Sequence, residues 1–280
     1  MEIQWPLVFF TLLTGLGAGG FAAVAACELL GKAERARVPG AIMAVVAMAA
    51  GGVASVLHLG HPERFFNALG HLSSGITTEM VLIGLTGLTI LAYLAVVRLG
   101  YSALARRVVA GIGLVLAIAL VFAMGASYVL PARPAWNTWL LPLLFASSAA
   151  VLGLFAMYIW TLAAMEDKAA VVAANKAACI AVAVETLVLV AYVIYLAVAP
   201  FQNPLRSAGR LLGGDLALAF WLGVVVVGII APLVLTGWLA KRKAFPSLAV
   251  PICGLLCALV GGGTLRALMY VLGSSIEQFF

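Results

Sequence analysis

The sequence predicts an all-α polytopic membrane protein with eight transmembrane helices, and three observations predict it. Hydrophobic residues make up 65% of the chain and charged residues only 9%, with a mean hydropathy of +1.18. A soluble domain carries roughly 25% charged residues, because its surface must be solvated. The apolar residues gather into runs of about 20 or more, the length that crosses a hydrocarbon core of ~30 Å at ~1.5 Å per residue. Lysines and arginines lie in the short segments between those runs, alternately dense and sparse, which is the orientation signal of a multi-span protein.

The first run covers residues 6–30. It is read as a retained span, because the start MEIQWPLVFF lacks the basic stretch of a cleavable signal peptide. The next three runs cover 39–58, 77–97 and 108–130, and the last four cover 139–164, 173–199, 216–240 and 246–272. No linker divides them, so residues 1–280 read as a single integral membrane domain. The count suggests two four-helix bundles, in halves 1–130 and 139–280, although no internal repeat relates them.

The segments after the first, third, fifth and seventh spans hold Lys32, Arg35, Arg37, Arg98, Arg106, Arg107, Lys168, Lys176, Lys241, Arg242 and Lys243. Those after the second, fourth and sixth hold only Arg64, Arg133, Arg206 and Arg210. The positive-inside rule therefore puts the first set in the cytoplasm and both termini outside. Trp5, Trp136, Trp139 and Trp221 then fall at the outer interface, and Trp160 and Trp238 near the inner one, as aromatic belts. The net charge of +6 is thus an orientation signal and not a nucleic-acid footprint.

Small residues cluster in GLGAGG (15–20), AAGG (49–52) and VGGG (260–263). They suit close helix packing in lipid. A nucleotide-binding loop is excluded, since no strand–turn–helix unit exists to hold one. Cys27, Cys179, Cys253 and Cys257 sit inside apolar runs without the spacing of a zinc or iron–sulfur site and read as packing residues.

Ionisable groups within a span are expensive, and are usually paired or functional. Four stand out: Glu28, Glu79, Glu185 and Arg266. Glu28 lies near the cytoplasmic end of its span, where it can reach the interface. Glu185 lies near mid-membrane, so it is protonated, paired or beside water. Arg266 lies about six residues, hence ~9 Å, from the outer end of the last span. Its guanidinium needs an acceptor, and Glu79 is the nearest candidate in depth. A structural ion pair and a site residue are equally open readings of Arg266.

The densest polar stretch is the outer segment VLHLGHPERFFNALGHLSSGITTE (56–79), which holds all three histidines, His58, His61 and His71. His58 closes the second span and can sit at the membrane boundary beside Glu79. A neutral histidine nitrogen there can accept a quinol hydroxyl's hydrogen bond and then its proton. An interfacial histidine that merely bonds a loop is the plainer alternative. No histidine occurs in the other seven spans to ligate a haem, and no flavin or nicotinamide fingerprint is present. Any electron handling would fall to a bound organic carrier and a partner protein, with no metal in this chain.

With Trp5-Pro6-Leu7, SVLHLGHPERFFNAL (55–69), the serine-rich turn before Glu79 and the RALMY segment (266–270), the sequence resembles the DmsC-type membrane anchor subunits of dimethyl sulfoxide reductase. The resemblance implies a haem-free subunit in a bacterial cytoplasmic membrane. It would anchor a molybdopterin catalytic subunit and an iron–sulfur electron-transfer subunit on the outer face in anaerobic respiration, and would oxidise menaquinol. It also implies quinol binding at His58 and Glu79. Arg64 and Asn67 belong to the same string, and packing against the iron–sulfur subunit is as open for them as quinol contact. The resulting expectation is a menaquinol pocket between the second, third and eighth spans. In it His58 accepts one proton, Glu79 accepts the other or orients His58, and Arg266 fixes Glu79 or polarises the quinone oxygen. Two alternatives stand beside it: a small-solute transporter using Glu185 and Arg266, and a structural anchor whose quinol site lies mainly on the partner.

Overall fold

The computed structural model describes residues 2–56, 74–200, 202–240 and 247–273, and within them the side chains of all but 238–240. Among the described residues the fold is all-helical, and eight helices are long and apolar enough to cross a membrane. They are α1 (Trp5–Leu29), α2 (Glu34–Val56), α3 (Gly75–Arg98), α4 (Ala103–Ala126), α5 (Leu140–Ala163) and α6 (Lys168–Val198). A π-helix (Ala219–Ile230) running into α8 (Ala231–Ala240) follows, and α9 (Ala249–Leu272) completes the set. One face of the bundle, where α1 begins and α9 ends, is called here the terminal face. The opposite one, with its lysines and arginines, is the basic face.

Several helices begin earlier than hydrophobicity alone predicts: α2 at Glu34 instead of 39, α4 at Ala103 instead of 108, α6 at Lys168 instead of 173. Apolar runs mark only the part of a helix that meets hydrocarbon, whereas capping decides where the backbone starts to coil. Ser102 and Asp167 accept from the amides of Ala105 and Ala170, at 3.3 and 2.7 Å, satisfying first-turn donors that would otherwise lack partners. The start of α2 is capped across the bundle, where Glu166 accepts from the Arg35 and Ala36 amides. Tight turns on the basic face use the left-handed backbone of Gly31 and Gly100, φ 66° and 70°, a region that glycine enters without steric cost.

One element escapes the hydropathy reading altogether. Helix α7 (Gln202–Leu212) is short, carries arginines, and lies on the terminal face between α6 and the π-helix. Its Asn203, Ser207 and Leu211 are buried, while Arg210 pairs with Asp215 at 2.6 Å.

Helices α1 and α5 form the centre and are mostly buried; α3 packs chiefly on α4 and is the most exposed. The glycine clusters do the packing expected of them. A Cβ on Gly19 would strike the backbone of Ala149, and one on Gly153 the backbone of Gly19, so α1 and α5 cross backbone against backbone. Gly228 and Gly261 do the same for the π-helix and α9. Such approaches gain dispersion where lipid offers no hydrophobic drive. Trp5, Trp139 and Trp221 are exposed at the terminal face, as a belt requires. Trp136 differs: it is 3% exposed and packs inward, as described next.

Candidate functional site

Glu79 stands one turn into α3 at the terminal face and is buried. Ser74 caps that turn, its Oγ accepting from the Thr77 amide at 3.2 Å, so the carboxyl is held by a defined helix start. The Ser127 hydroxyl at the end of α4 is within hydrogen-bonding reach of it, and its charge is felt by Tyr128 and Tyr270. Those two tyrosines share a hydrogen bond of 2.7 Å. Trp136 lies edge-on to both rings, with centroids at 5.6 and 6.0 Å. Its Nε1 donates to the Met269 carbonyl at 2.9 Å, and the Arg133 guanidinium lies 4.4 Å from its ring. The result is a packed aromatic cluster with two hydroxyls beside a buried carboxyl, assembled from α3, the end of α4 and the segment that follows it, and α9. The sequence reading gives α4 no part in it. The missed signal is a tyrosine at the terminal-face end of each of two spans.

His58, Arg64 and Asn67 lie outside the described residues, in the segment between Val56 and Ser74. The expected juxtaposition of His58 and Glu79 therefore stays an expectation.

Arg266 corrects the sequence reading. It is 3% exposed, yet it forms no ion pair with Glu79 among the described residues. Its Nη1 donates instead to Ser148 Oγ at 3.2 Å and to the Gly262 carbonyl at 3.1 Å, and its guanidinium lies 4.9 Å from the Phe145 ring. The carboxylate whose charge it feels is Glu185, which also interacts with the Ser148 hydroxyl. Depth along each helix suggested Glu79, but the direction in which each side chain points, invisible to a depth count, selects Glu185. Arg266 Nε and Nη2 have no hydrogen-bond acceptor among the described residues. Glu185 is buried and edges a small cavity of about 10 Å³ between α6, the π-helix and α9, the space of a single water.

A third buried cluster sits at the basic face. Glu28 Oε2 accepts from Arg37 Nη1 and from the Tyr93 hydroxyl, each at 2.8 Å, and Arg106 Nε stands 3.6 Å from Oε1. Arg37 Nε also donates to the Lys32 carbonyl at 2.9 Å. Glu28 thus does not reach the interface, as its position near a span end suggested. It ties α1, α2, α3 and α4 together. Among the described residues no three histidine, cysteine or acidic side chains converge as a metal site would require.

A family model described as polysulphide reductase, NrfD, matches residues 1–273. The C subunit of the anaerobic dimethyl sulfoxide reductase of Escherichia coli (strain K12) is 39% identical over 82 residues. That stretch spans 28% of this protein and 29% of the relative.

Proposed function

This chain belongs to the polysulphide reductase NrfD family, and from that premise we propose that it is the membrane anchor of a respiratory molybdoenzyme complex and oxidises menaquinol. The observation that carries the reading is Glu79. It is a buried carboxyl at one membrane boundary, beside a cluster of aromatic rings and hydroxyls. An acyl or isoprenoid tail can stay in lipid while the ring enters such a site. Tyr and Trp rings offer flat apolar contact and polar edges, and the carboxyl offers a proton acceptor.

In this reading the terminal face is the outer face of a bacterial cytoplasmic membrane, and the basic loops are cytoplasmic. Menaquinol is the substrate. His58 accepts the proton of one hydroxyl and Glu79 that of the other, while two electrons leave singly for an iron–sulfur cluster of the partner subunit. Arg64 and Asn67, in the segment between α2 and α3, line the quinol site or the docking surface for that subunit. A molybdopterin subunit then reduces the terminal acceptor. Similarity to the dimethyl sulfoxide reductase subunit supports this assembly.

The test is quinol-dependent turnover in the assembled complex. His58→Ala and Glu79→Gln should each lower it by about 10²-fold or more, the typical worth of a positioned acid or base. Reduction of the terminal acceptor by an artificial donor to the catalytic subunit should persist. Normal quinol oxidation in both variants would end the proposal.

A further inference from the structure

The cluster of Arg266, Ser148 and Glu185 has no part in the quinol chemistry above, yet its arginine lies close enough to the terminal-face aromatic cluster to be felt by Tyr128 and Tyr270. Arg266 is the only buried cation near either carboxylate among the described residues, and its guanidinium does not give up its proton. Its charge is felt on one side by Glu185 and on the other by Tyr128 and Tyr270, which also feel Glu79. Two of its nitrogens, Nε and Nη2, have no acceptor among the described residues. A Cβ built on Gly15 would lie 3.8 Å from Nη2, so α1 leaves that side of the fork clear.

Glu185 has few other partners. Helix α5 faces it with Ser148, and α9 with Arg266. Tyr192, about two turns along α6, spends its hydroxyl on the Ala135 carbonyl at 3.0 Å. The π-helix offers only Val224, Gly228 and Ile229 around the water-sized cavity. One cation and one carboxylate balance each other. A second anion above Arg266 would leave the cluster with a net negative charge in a medium that solvates charge poorly. The inexpensive relief is to protonate the carboxylate that loses its counter-ion.

We propose that Arg266 is a counter-ion shared between Glu185 and the terminal-face quinol site, so that Glu185 takes up a proton whenever an anionic quinol species forms in that site. In the first deprotonation of the bound quinol, the quinol O–H bond breaks as that proton passes to the base proposed above, and a separate proton drawn from the aqueous phase forms the O–H bond of the Glu185 carboxyl. Arg266 directs its unpartnered Nε and Nη2 toward the quinolate, so that its charge balances the quinolate instead of Glu185, and no electron moves. When the electrons leave and the ring becomes neutral quinone, Arg266 returns to Glu185 and the proton is released. Glu185 touches no substrate atom in this scheme; it acts through Arg266. The inference rests on the terminal-face cluster bordering a quinol site.

The full-length protein in lipid nanodiscs, titrated with a hydroxynaphthoquinone that is anionic at neutral pH, tests it. Binding should take up about one proton per ligand, and infrared difference spectra should gain a protonated-carboxyl band. A neutral naphthoquinone should bind without either signal. Glu185→Gln should still bind the anion but lose the uptake and the band; Glu185→Asp should keep the uptake with the band displaced. Should the Gln variant fail to assemble, the Asp variant's band displacement alone decides whether the carboxyl is residue 185. Binding without proton uptake, uptake intact in Glu185→Gln, or an undisplaced band in Glu185→Asp would overturn this inference alone. Absence of binding by either naphthoquinone would overturn it together with the quinol reading.

Discussion

The two ends of the bundle each bury a glutamate with an arginine, and they use the pair in opposite ways. At the basic face Arg37 and Tyr93 both donate to one oxygen of Glu28, and Arg106 Nε stands 3.6 Å from the other as an ion pair without a hydrogen bond. Four helices meet at that carboxylate. Beneath the terminal face the arrangement is left open. Arg266 uses one of its three nitrogens, Glu79 has Ser127 within reach, and Glu185 borders a space the size of a water. Burial of charge is therefore not itself the mark of a site. A carboxylate bridged to three other helices is a fastening, whereas a cation with two unpartnered nitrogens is positioned to receive a guest.

Removing one partner at the basic face should do the greatest damage. Glu28→Ala leaves Arg37 buried without its carboxylate, which costs about 3–5 kcal/mol for such pairs. We expect sharply reduced membrane yield and a much lower melting temperature in detergent. The double variant Glu28→Leu, Arg37→Leu should recover most of that loss, since apolar replacement of both partners is often neutral. If the single variant melts normally, the fastening role is wrong.

The same operation at the open end should be milder for stability and harsher for binding. In Arg266→Met the orphaned Glu185 can protonate instead of standing charged, so the melting temperature should fall much less than in Glu28→Ala. Affinity for an anionic naphthoquinone should drop about 10-fold or more, the loss of one charge-assisted contact of ~1.5–3 kcal/mol. Arg266→Lys should fall between, because a point charge cannot reproduce the planar fork. Equal stability losses at the two ends would erase the contrast.

Tyr270→Phe removes the 2.7 Å bond to Tyr128 and should cost about 1 kcal/mol, measurable as weaker quinone-analogue binding with the fold intact. The smallest effect is expected at the exposed pair of Arg210 and Asp215. The hydrogen bond from Arg210 holds the Asp215 carboxyl below its ordinary value. A depressed carboxylate contributes stability that is present above the ordinary pKa and lost as pH falls through the folded one. Asp215→Asn should thus lower the melting temperature slightly at neutral pH, an exposed pair being worth little, and the difference from the parent protein should vanish as pH falls through the folded carboxyl's pKa.

Much of this architecture is legible from composition and periodicity. Eight spans and the glycine crossings follow from residue type, because lipid demands apolar length and close backbones. What escapes is direction around the helix axis. Depth counting pairs Arg266 with Glu79, and puts Glu28 at the interface and Trp136 in a belt; the structure turns Arg266 toward Glu185, Glu28 toward Arg37, and Trp136 toward Tyr128 and Tyr270. Helix α7 escapes for a different reason. Its burial is one-sided and brief, with Asn203 and Ser207 inward and arginines beside them, so a hydropathy window averages it away. The histidine-bearing string announces itself by its residues alone, and its segment lies outside the described residues.

The crossing of α1 over α5 bears on what such a molecule can do mechanically. With Gly19 and Gly153 set backbone to backbone, the two central helices share a pivot with no side chains to slide or lubricate it. Alternating access works by rocking one bundle against another about a mid-membrane site, and here that hinge plane is occupied by main-chain contact. Motion is left to the rim, where α3 has neighbours on few sides. A body that is rigid at its axis and yielding at its edge admits a guest sideways from the bilayer more readily than it passes one through.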